Sequence, residues 1–345
     1  MLTHTYPSKI TLAHGAGGYE TSELIRKLIV EVFKIKRVGD GVGLSELDDA
    51  ATIPIGNGKS IAITVDSYTV KPPFFPGGDI GKLAATGTIN DLAVIGAEPI
   101  AFMDSIVVEE GFPLEDLRKI INSYKSVLEE YGIALIGGDL KVMPKGSLDG
   151  IIISSTGIGL LNDTPLLDNM VEPGDKIIVT GAIGDHGAAI LAAQLGIEEI
   201  DVKSDCKPIL PAIRIAKKIG GVRAAKDPTR GGIAMALNEF SSKSNVDIVV
   251  YEDRIPVHEE VRALAEMTGI DVYALASEGQ ALLIVSSDKA EEVVEELRRN
   301  GFSEASIIGE ARKPIGYRPR VYLKTIVGGT RLLEAPRGEL VPRIC

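Results

Sequence analysis

Aspartates recur in this chain at the ends of apolar segments or beside glycine, where a carboxylate can face a crevice. They occur in Asp48-Asp49, Asp66, Asn90-Asp91, Gly138-Asp139 and Asp227. Carboxylates that converge on one crevice bind hard cations such as Mg²⁺, which carry nucleotide phosphates. At any single position, the alternative is a turn former or a helix cap. Because several segments share the pattern, the sequence favours a metal site, whereas Asp79 is expected to be a helix N-cap.

Two glycine-rich segments precede helices and are candidates for binding phosphate. His14-Gly-Ala-Gly-Gly18 comes before the first predicted helix, whose N-terminal amides attract anions, although a plain tight turn is the alternative. Asp227-Pro-Thr-Arg-Gly-Gly232 also opens a helix and adds Arg230, which can contact phosphate through two nitrogens. A capped helix start is the alternative there. The sequence has neither a Walker loop nor Gly-x-Gly-x-x-Gly after a strand, which argues against P-loop and dinucleotide-binding enzymes.

Three other side chains lie close to these segments in the sequence or precede a buried strand. Lys141 follows Asp139 by two residues and either reaches a phosphate bound there or is a solvated lysine. Glu278 comes just before an apolar segment, where a glutamate can act as a base. His186 opens a helix and is expected to be a capping or packed residue. The histidines and cysteines do not have the spacing of a zinc site.

The chain has two cysteines, Cys206 and Cys345, and only Cys345 is a candidate reactive residue. Cys206 lies before a predicted helix and is expected to be incidental. Cys345 is the last residue, and a thiol on a flexible terminus can move between sites and carry an acyl group. A frayed, exposed tail is the alternative.

Hydrophobic periodicity predicts helices and strands along both halves of the chain. Helices are predicted near residues 22–33, 79–96, 114–131, 186–195, 208–219, 231–243, 257–268 and 288–300. Strands are predicted near residues 61–65, 133–136, 151–160, 176–180, 247–250, 281–286 and 306–308. Because both halves mix the two at a similar scale, the predicted fold class is α/β, or α+β.

The length of 345 residues and a turn-rich stretch at 162–175 predict two domains. We expect an N-terminal domain over residues 1–162 and a C-terminal domain over residues 163–324. Residues 325–345 lack helical or strand periodicity, and we expect them to form a mobile arm that carries Cys345.

Composition narrows the class of protein further. The chain has 48 acidic and 37 basic side chains, and a net charge of −11 repels nucleic acid. No stretch approaches the ~20 apolar residues that a membrane-spanning helix needs. The N-terminus does not resemble a signal peptide, and two cysteines do not make a disulfide framework. We therefore expect a cytoplasmic protein that binds neither nucleic acid nor membrane.

Several motifs together resemble the HypE family of hydrogenase maturation proteins. One segment runs from Asp66 to Leu83 and continues in Gly87-Thr-Ile-Asn-Asp-Leu-Ala-Val-Ile-Gly-Ala97, and the chain ends in Pro342-Arg-Ile-Cys345. The motifs at 14–18, 48–50, 184–187 and 227–232 occur in the family's order, so that the resemblance covers nearly the whole chain. The family is part of a superfamily with aminoimidazole ribonucleotide synthetase, selenophosphate synthetase and thiamine-monophosphate kinase.

The resemblance implies a fold, a reaction and a set of partners. The N-terminal domains would pair into a homodimer, and ATP and Mg²⁺ would bind between the two domains. HypF would carbamoylate the terminal cysteine, and ATP-dependent dehydration would turn the carbamoyl group into a thiocyanate. The cyanide would pass to iron on the HypC–HypD complex, for the active site of NiFe hydrogenase.

The resemblance also implies roles for single residues. Metal ligands would be Asp48, Asp66, Asp91 and Asp227, with Asp49 adjacent to the first of them. Nucleotide binding would involve Gly15, Gly17, Gly18, Asp66, Asp91, Asp139, Lys141, Asp227, Thr229 and Arg230. Leu140 stands where the family has threonine, so a hydroxyl role is not expected there. Catalytic residues would be Cys345, Lys141 and a proton acceptor, for which Glu278 is preferred over His14.

Two other functions stay open at the level of sequence. The first is a different ATP-using enzyme of the superfamily, but selenophosphate synthetase carries a reactive cysteine or selenocysteine near its N-terminus, and this chain has no cysteine before residue 206. Thiamine-monophosphate kinase needs no C-terminal cysteine. The second is a non-catalytic scaffold that binds maturation partners through its arm.

Overall fold

Two β-sheets, each with helices packed against it, organise the N-terminal and C-terminal halves of the chain. The computed structural model describes residues 9–197 and 199–338. Both sheets are mixed, with one parallel pair of neighbouring strands in each. The α/β (α+β) class predicted from the sequence is therefore confirmed.

The first sheet has five strands in the order β1-β2-β7-β5-β6. They are β1 (Ala51–Gly56), β2 (Lys59–Tyr68), β5 (Glu98–Glu109), β6 (Ala134–Met143) and β7 (Ile151–Leu161), while β3 (Phe74–Phe75) and β4 (Gly78–Asp79) form a separate hairpin. The helices of this half are α1 (Tyr19–Ile25), which continues as a π-helical turn over Arg26–Val30, α2 (Ile80–Val94) and α3 (Leu114–Glu130). A 3₁₀ turn, Leu12–Gly15, precedes α1.

The second sheet has seven strands in the order β14-β13-β10-β12-β8-β11-β9. They are β8 (Lys176–Val179), β9 (Val222–Lys226), β10 (Asp247–Tyr251), β11 (Leu282–Val285), β12 (Ser306–Arg312), β13 (Val321–Lys324) and β14 (Thr330–Leu332). The helices are α4 (Asp185–Leu195), α5 (Leu210–Ile219), α6 (Gly232–Ser244), α7 (Glu259–Thr268) and α8 (Ala290–Arg299), with 3₁₀ turns at Asp168–Met170, Glu252–Arg254 and Val272–Ala274. Over the ranges that the structure describes, every helix is too short or too polar to cross a membrane.

Helix α2 lies between the two halves and is buried on almost every side. Its start follows the sequence prediction, because the Asp79 carboxylate accepts hydrogen bonds from the backbone N–H groups of Gly81 (2.7 Å) and Lys82 (3.0 Å). Small side chains around the helix allow close packing against β2 and β7 on one side and α5 on the other. The largest buried cluster accordingly runs from Phe102 in the first sheet to Ile178 and Leu283 in the second.

Asn90 on α2 joins the two halves by hydrogen bonds in addition to apolar packing. Its amide nitrogen donates to the carbonyl oxygen of Glu278 at 3.1 Å, and its amide oxygen accepts from the N–H of Ile209 at 2.9 Å. The side chain is fully buried. Two backbone groups of the C-terminal half therefore depend on one side chain of the N-terminal half.

Three features differ from the pattern-based expectation. β5 was not predicted, because Pro99, Asp104 and Ser105 interrupt its apolar pattern, yet it pairs with both β6 and β7. β6 continues past the predicted residue 136, since Gly138 has no Cβ to overlap the Asp104 carboxylate. In the predicted tail, β14 pairs with β13.

We expect Asn90→Ala to lower the free energy of unfolding by about 2–4 kcal/mol, because two buried backbone groups lose their partner. Urea denaturation measures this loss. Asn122→Ala is the matched control, since Asn122 is exposed on α3 and its replacement should change stability by about 0.5 kcal/mol or less. A loss for Asn90→Ala as small as that of the control would mean that the two bonds do not hold the halves together.

Candidate active site

Three carboxylates from different parts of the chain meet at the junction of the two halves. Asp49 lies in the loop before β1, Asp91 on α2, and Asp227 in the loop after β9. One oxygen from each lies within 4.8 Å of the others. We call these three residues the carboxylate trio.

Hydrogen bonds from neighbouring groups satisfy only some of the carboxylate oxygens of the trio. The Thr64 hydroxyl lies 2.8 Å from Oδ2 of Asp91 and 2.9 Å from the carbonyl oxygen of Asp49. Oδ2 of Asp227 is buried and has no hydrogen-bond partner among the described residues. A buried carboxylate oxygen without a partner is costly, which indicates that a ligand completes this position.

The electrostatics of the trio favour a cation. Burial, followed by the charge of Asp49, raises the pKa of Asp227 to about 7. Burial and the nearby charge of Asp66 on β2 raise the pKa of Asp91 well above its usual value. Burial is also the main reason why the pKa of Asp49 is raised. A divalent cation would offset this repulsion and keep the carboxylates ionised.

The trio fits Mg²⁺ in ligand type and in size. Mg²⁺ binds oxygen ligands at ~2.0–2.1 Å, so opposite ligands of an octahedral ion are about 4.2 Å apart. The three grouped oxygens all lie within 4.8 Å of one another, the spacing of a group that can hold one metal ion. Asp66 is close enough for its charge to act on Asp91, although it is not one of the three grouped oxygens.

Asp48 does not join this group, in contrast to the expectation from the sequence. Its carboxylate accepts a hydrogen bond from the N–H of Asp168 at 3.1 Å and lies 3.8 Å from Nζ of Lys243. Burial and the charge of Asp168 raise the pKa of Asp48 to about 6. The structure therefore brings Asp49, rather than Asp48, to Asp91 and Asp227.

A buried lysine that the sequence analysis overlooked lies next to the trio. Nζ of Lys226 is 3.0 and 3.1 Å from the two oxygens of Asp49, and 3.1 Å from both Asp168 and Glu239. Burial acts to lower the pKa of Lys226, but the three carboxylates raise it well above the usual value. The signal in the sequence is a lysine at the end of an apolar strand, directly before Asp227.

The two glycine-rich segments contact each other. Gly17 has φ +83°, and a Cβ at this position would lie 2.6 Å from Cβ of Arg230. Nη1 of Arg230 donates to the carbonyl oxygen of Gly15 at 3.2 Å. In the second segment, the carbonyl oxygen of Thr229 accepts from the N–H of Gly232 at 2.9 Å, in the turn that opens α6. Glycine is thus required at position 17 by the close approach of the second segment.

The last described residues of the chain reach the same place. The carbonyl oxygen of Pro336 accepts from the N–H of Tyr19 at 3.5 Å, and a Cβ on Gly18 would lie 2.8 Å from that oxygen. The N–H of Gly338 donates to the Glu20 carboxylate at 3.1 Å. Cys345 lies outside the described residues. The described chain therefore ends beside the N-terminal glycine-rich segment.

Glu278 is buried beside the trio, with only 2% of its surface exposed. The Asp205 carboxylate accepts hydrogen bonds from the N–H groups of Glu278 (3.0 Å) and Gly279 (3.1 Å), which fixes the backbone. Burial and the charge of Asp227 raise the pKa of Glu278 well above its usual value. The other candidate base, His14, is half-buried, and its Nδ1 lies 2.8 Å from the Thr11 hydroxyl.

Asp139 and Lys141 lie in the middle of the exposed strand β6, not at a strand end as the sequence suggested. They form an ion pair with each other, and the Lys141 amine lowers the pKa of Asp139. Within the described part of the chain, this pair is not grouped with the trio.

Cys206 and His186 are packed inside the protein. Cys206 is buried, and burial raises the pKa of its thiol. Nδ1 of His186 is 2.7 Å from the Ser204 hydroxyl, and its ring meets that of Phe75 edge-on at 5.4 Å. The packed role expected for His186 is confirmed.

Both halves of the chain match models of one protein family. Residues 47–161 match the N-terminal domain of AIR synthase related proteins, and residues 172–320 match their C-terminal domain.

Among individual proteins, the chain is 37% identical to the carbamoyl dehydratase HypE of Cupriavidus necator, over 98% of this chain and 95% of that protein. It is similar to HypE in a crystal structure of a HypE–HypF complex, with a TM-score of 0.83, 38% identity, and coverage of 91% of this chain and 99% of that one. It is also similar to HypE in complex with ATP, with a TM-score of 0.79, 33% identity, and coverage of 98% and 100%. The chain therefore belongs to the AIR synthase related proteins and, within them, to the HypE family.

Proposed function

We propose that the protein is an ATP-dependent carbamoyl dehydratase, which converts an S-carbamoyl group on Cys345 into an S-cyano group. The observation that carries this proposal is the carboxylate trio, in which one Asp227 oxygen has no partner among the described residues, beside the buried Glu278. The HypE of Cupriavidus necator bears the name of this activity, and a HypE of similar structure binds ATP.

Asp49, Asp91 and Asp227 are the residues that we propose to hold Mg²⁺, with Asp66 as a neighbouring charge. When bound, Mg²⁺ neutralises charge on the phosphate groups of ATP. The charge of Arg230 acts on Asp66 and Glu278, which places its guanidinium near the trio. Arg230 contacts Gly15 and Gly17, and we propose that its guanidinium and the backbone N–H groups of the glycines at 15, 17 and 18 contact phosphate. Thr229 is a further candidate from the same turn.

The chemistry requires an oxygen to become a leaving group. We propose that the oxygen of Cys345–S–C(=O)–NH₂ attacks the γ-phosphate, releasing ADP and forming an O-phosphorylated intermediate with loss of one N–H proton. Loss of the second N–H proton expels phosphate and leaves Cys345–S–C≡N. Arg230 would offset negative charge on the transferring phosphoryl group. The net change is removal of water from the carbamoyl group at the cost of one ATP.

Glu278 is the preferred proton acceptor, and His14 remains the alternative. A raised pKa makes the ionised Glu278 carboxylate a stronger proton acceptor than an ordinary glutamate. Its backbone is fixed by Asp205 and Asn90, which favours a constant position relative to the trio.

The length of the chain beyond Gly338 is compatible with this reaction. Cys345 is the seventh residue after Gly338, and an extended segment of seven residues reaches up to ~24 Å. Gly338 contacts Glu20 beside the N-terminal glycine-rich segment, and we propose that this reach brings the terminal thiol to the junction of the two halves.

We propose a homodimer in which the N-terminal halves pair. The exposed strand β6 carries Leu140 and Val142 with 59% and 65% of their surfaces exposed, next to exposed Leu135 and Ile136. An apolar, exposed strand is a favourable surface for a second copy of the chain. Asp139 and Lys141 lie on the same strand, and a role in binding nucleotide stays a proposal for them.

The proposed reaction needs a carbamoyl donor and a cyanide acceptor. We propose HypF as the donor, supported by the HypE–HypF complex, and HypC–HypD as the acceptor that carries iron. The proposed compartment is the cytoplasm.

We expect Asp49→Asn and Asp227→Asn to lower Mg²⁺-dependent ATP turnover by the carbamoylated protein about 100-fold, equivalent to ~2.7 kcal/mol of barrier. Asp48→Asn is the matched control and should cost less than about ten-fold, since Asp48 contacts Lys243 and Asp168 instead of the trio. A steady-state ATPase assay across Mg²⁺ concentrations measures the difference. A greater loss for Asp48→Asn than for Asp49→Asn would restore the assignment made from sequence alone.

We expect Cys345→Ala to bind ATP normally and to give no dehydrated product. Mass spectrometry of the protein after carbamoylation and ATP addition detects loss of one water. Cys206→Ala is the control and should still give the product, because Cys206 is buried. Loss of water from the Cys345→Ala protein, or failure of carbamoylation to stimulate ATP turnover in the unaltered protein, would refute the dehydratase and favour a kinase or a scaffold.

We expect Glu278→Gln to slow dehydration about 10²–10⁴-fold, the usual contribution of a general base. Only the ionised carboxylate accepts a proton, so the rate for the unaltered protein should rise with pH up to the raised pKa of Glu278, and this rise should vanish in Glu278→Gln. Single-turnover kinetics measure both effects. If His14→Gln abolishes the pH dependence and Glu278→Gln does not, His14 is the base.

A further inference from the structure

Lys226 carries a buried amine that has no direct role in the proposed reaction. It ends β9 one residue before Asp227, and only 10% of its side chain is exposed. Its amine contacts Asp49 from the N-terminal half, Asp168 from the turn-rich stretch at 162–175, and Glu239 on α6. A single charge thus joins three separate elements.

The two contacts to Asp49 matter most for the site. Both oxygens of Asp49 lie at hydrogen-bond distance from the amine, at 3.0 and 3.1 Å. Asp49 and Asp227 belong to opposite halves, and Lys226 is the sequence neighbour of Asp227. The backbone that carries one carboxylate of the trio therefore also carries the amine that orients another.

We propose that Lys226 is a positioning residue for the cation site: it holds the Asp49 carboxylate opposite Asp227 and so links cation binding to contact between the two halves. This inference rests on the cation site of the proposed function. It concerns a group that is not itself a ligand.

The amine can orient Asp49 without blocking it. Each carboxylate oxygen has two lone pairs, so an oxygen that accepts from Lys226 keeps one for a cation. Residues that orient metal ligands by hydrogen bonds typically change metal affinity about 10–100-fold when they are replaced. Without the amine, Asp49 would face the like charges of Asp91 and Asp227 with no counter-charge to hold it there.

Lys243 provides a matched comparison within the same charged cluster. Its amine contacts Asp168 at 2.8 Å and lies 3.8 Å from Asp48, and it donates to the carbonyl oxygen of Leu47. It shares Asp168 with Lys226 but neighbours Asp48 in place of Asp49. Loss of Lys243 should therefore disturb the charged cluster while leaving the trio in position.

The test is binding of Mn²⁺ alone, without nucleotide, followed by electron paramagnetic resonance of the free ion. We expect Lys226→Met to weaken binding about 10–100-fold, and Lys243→Met to change it less than about three-fold. Lys226→Arg keeps the charge and should bind within about ten-fold of the unaltered protein. Both methionine variants should lower the midpoint of thermal unfolding, so a common loss of stability does not account for the difference in Mn²⁺ binding.

Each contrary result has a distinct meaning. If Lys226→Met fails to fold, Lys226→Met combined with Asp168→Asn restores the charge balance and should show the same weak binding. Equal weakening in Lys226→Met and Lys243→Met, or tighter binding in Lys226→Met because the amine competes with the cation, overturns the positioning role. If the unaltered protein binds no Mn²⁺, the cation site of the proposed function is overturned as well.

Discussion

The crowding of carboxylates at the junction of the two halves, with Asp227 buried and Asp49 and Asp91 half-buried, is the constraint on which the rest of the structure depends. Asp49, Asp91 and Asp227 converge there, and Glu278 lies close enough for the charge of Asp227 to raise its pKa. Burying like charges is unfavourable unless cations or hydrogen bonds offset them. Buried and half-buried lysine amines offset part of the negative charge. One oxygen of Asp227 has no partner among the described residues, so the offset that they provide is incomplete. A divalent cation, as proposed for this site, would relieve this repulsion.

Helix α2 makes the crowding possible because it packs against both halves at once. Adjacent residues on this helix serve different purposes: Asn90 binds the backbone of the C-terminal half, while Asp91 joins the trio. The helix is lined with small residues, and a Cβ on Gly87 would overlap Tyr68, so its backbone approaches the first sheet closely. A bulkier helix would separate the two sheets and the carboxylates with them. Helix α2 therefore determines both the packing of the two halves and the positions of the polar groups at their interface.

The sequence predicted the features that local patterns determine, but it did not predict those that depend on contacts between residues far apart in the chain. The third helix, with its regular amphipathic pattern, was predicted over residues 114–131 and occupies Leu114–Glu130, and the cap of α2 by Asp79 follows from its own neighbours. Which of Asp48 and Asp49 joins the trio does not follow from the local sequence. The two residues are adjacent in an irregular loop and differ only in the distant lysine that each one contacts. β5 was missed for a related reason, since its pairing with two strands outweighs the polar residues that interrupt its pattern.

The contact between residues 18–20 and residues 336–338 gives the proposed reaction a physical rationale. Pro336 and Gly338 contact Tyr19 and Glu20, which follow the N-terminal glycines, and Arg230 contacts Gly15 among those glycines from the C-terminal half. A reacting group tethered by seven residues is held at a high effective concentration, so the site needs little affinity of its own for the carbamoyl group. Weak affinity is an advantage if the product must be released and delivered to another protein. The proposed reaction thus combines the charged centre at the junction of the two halves with a reacting group that the chain itself would retain.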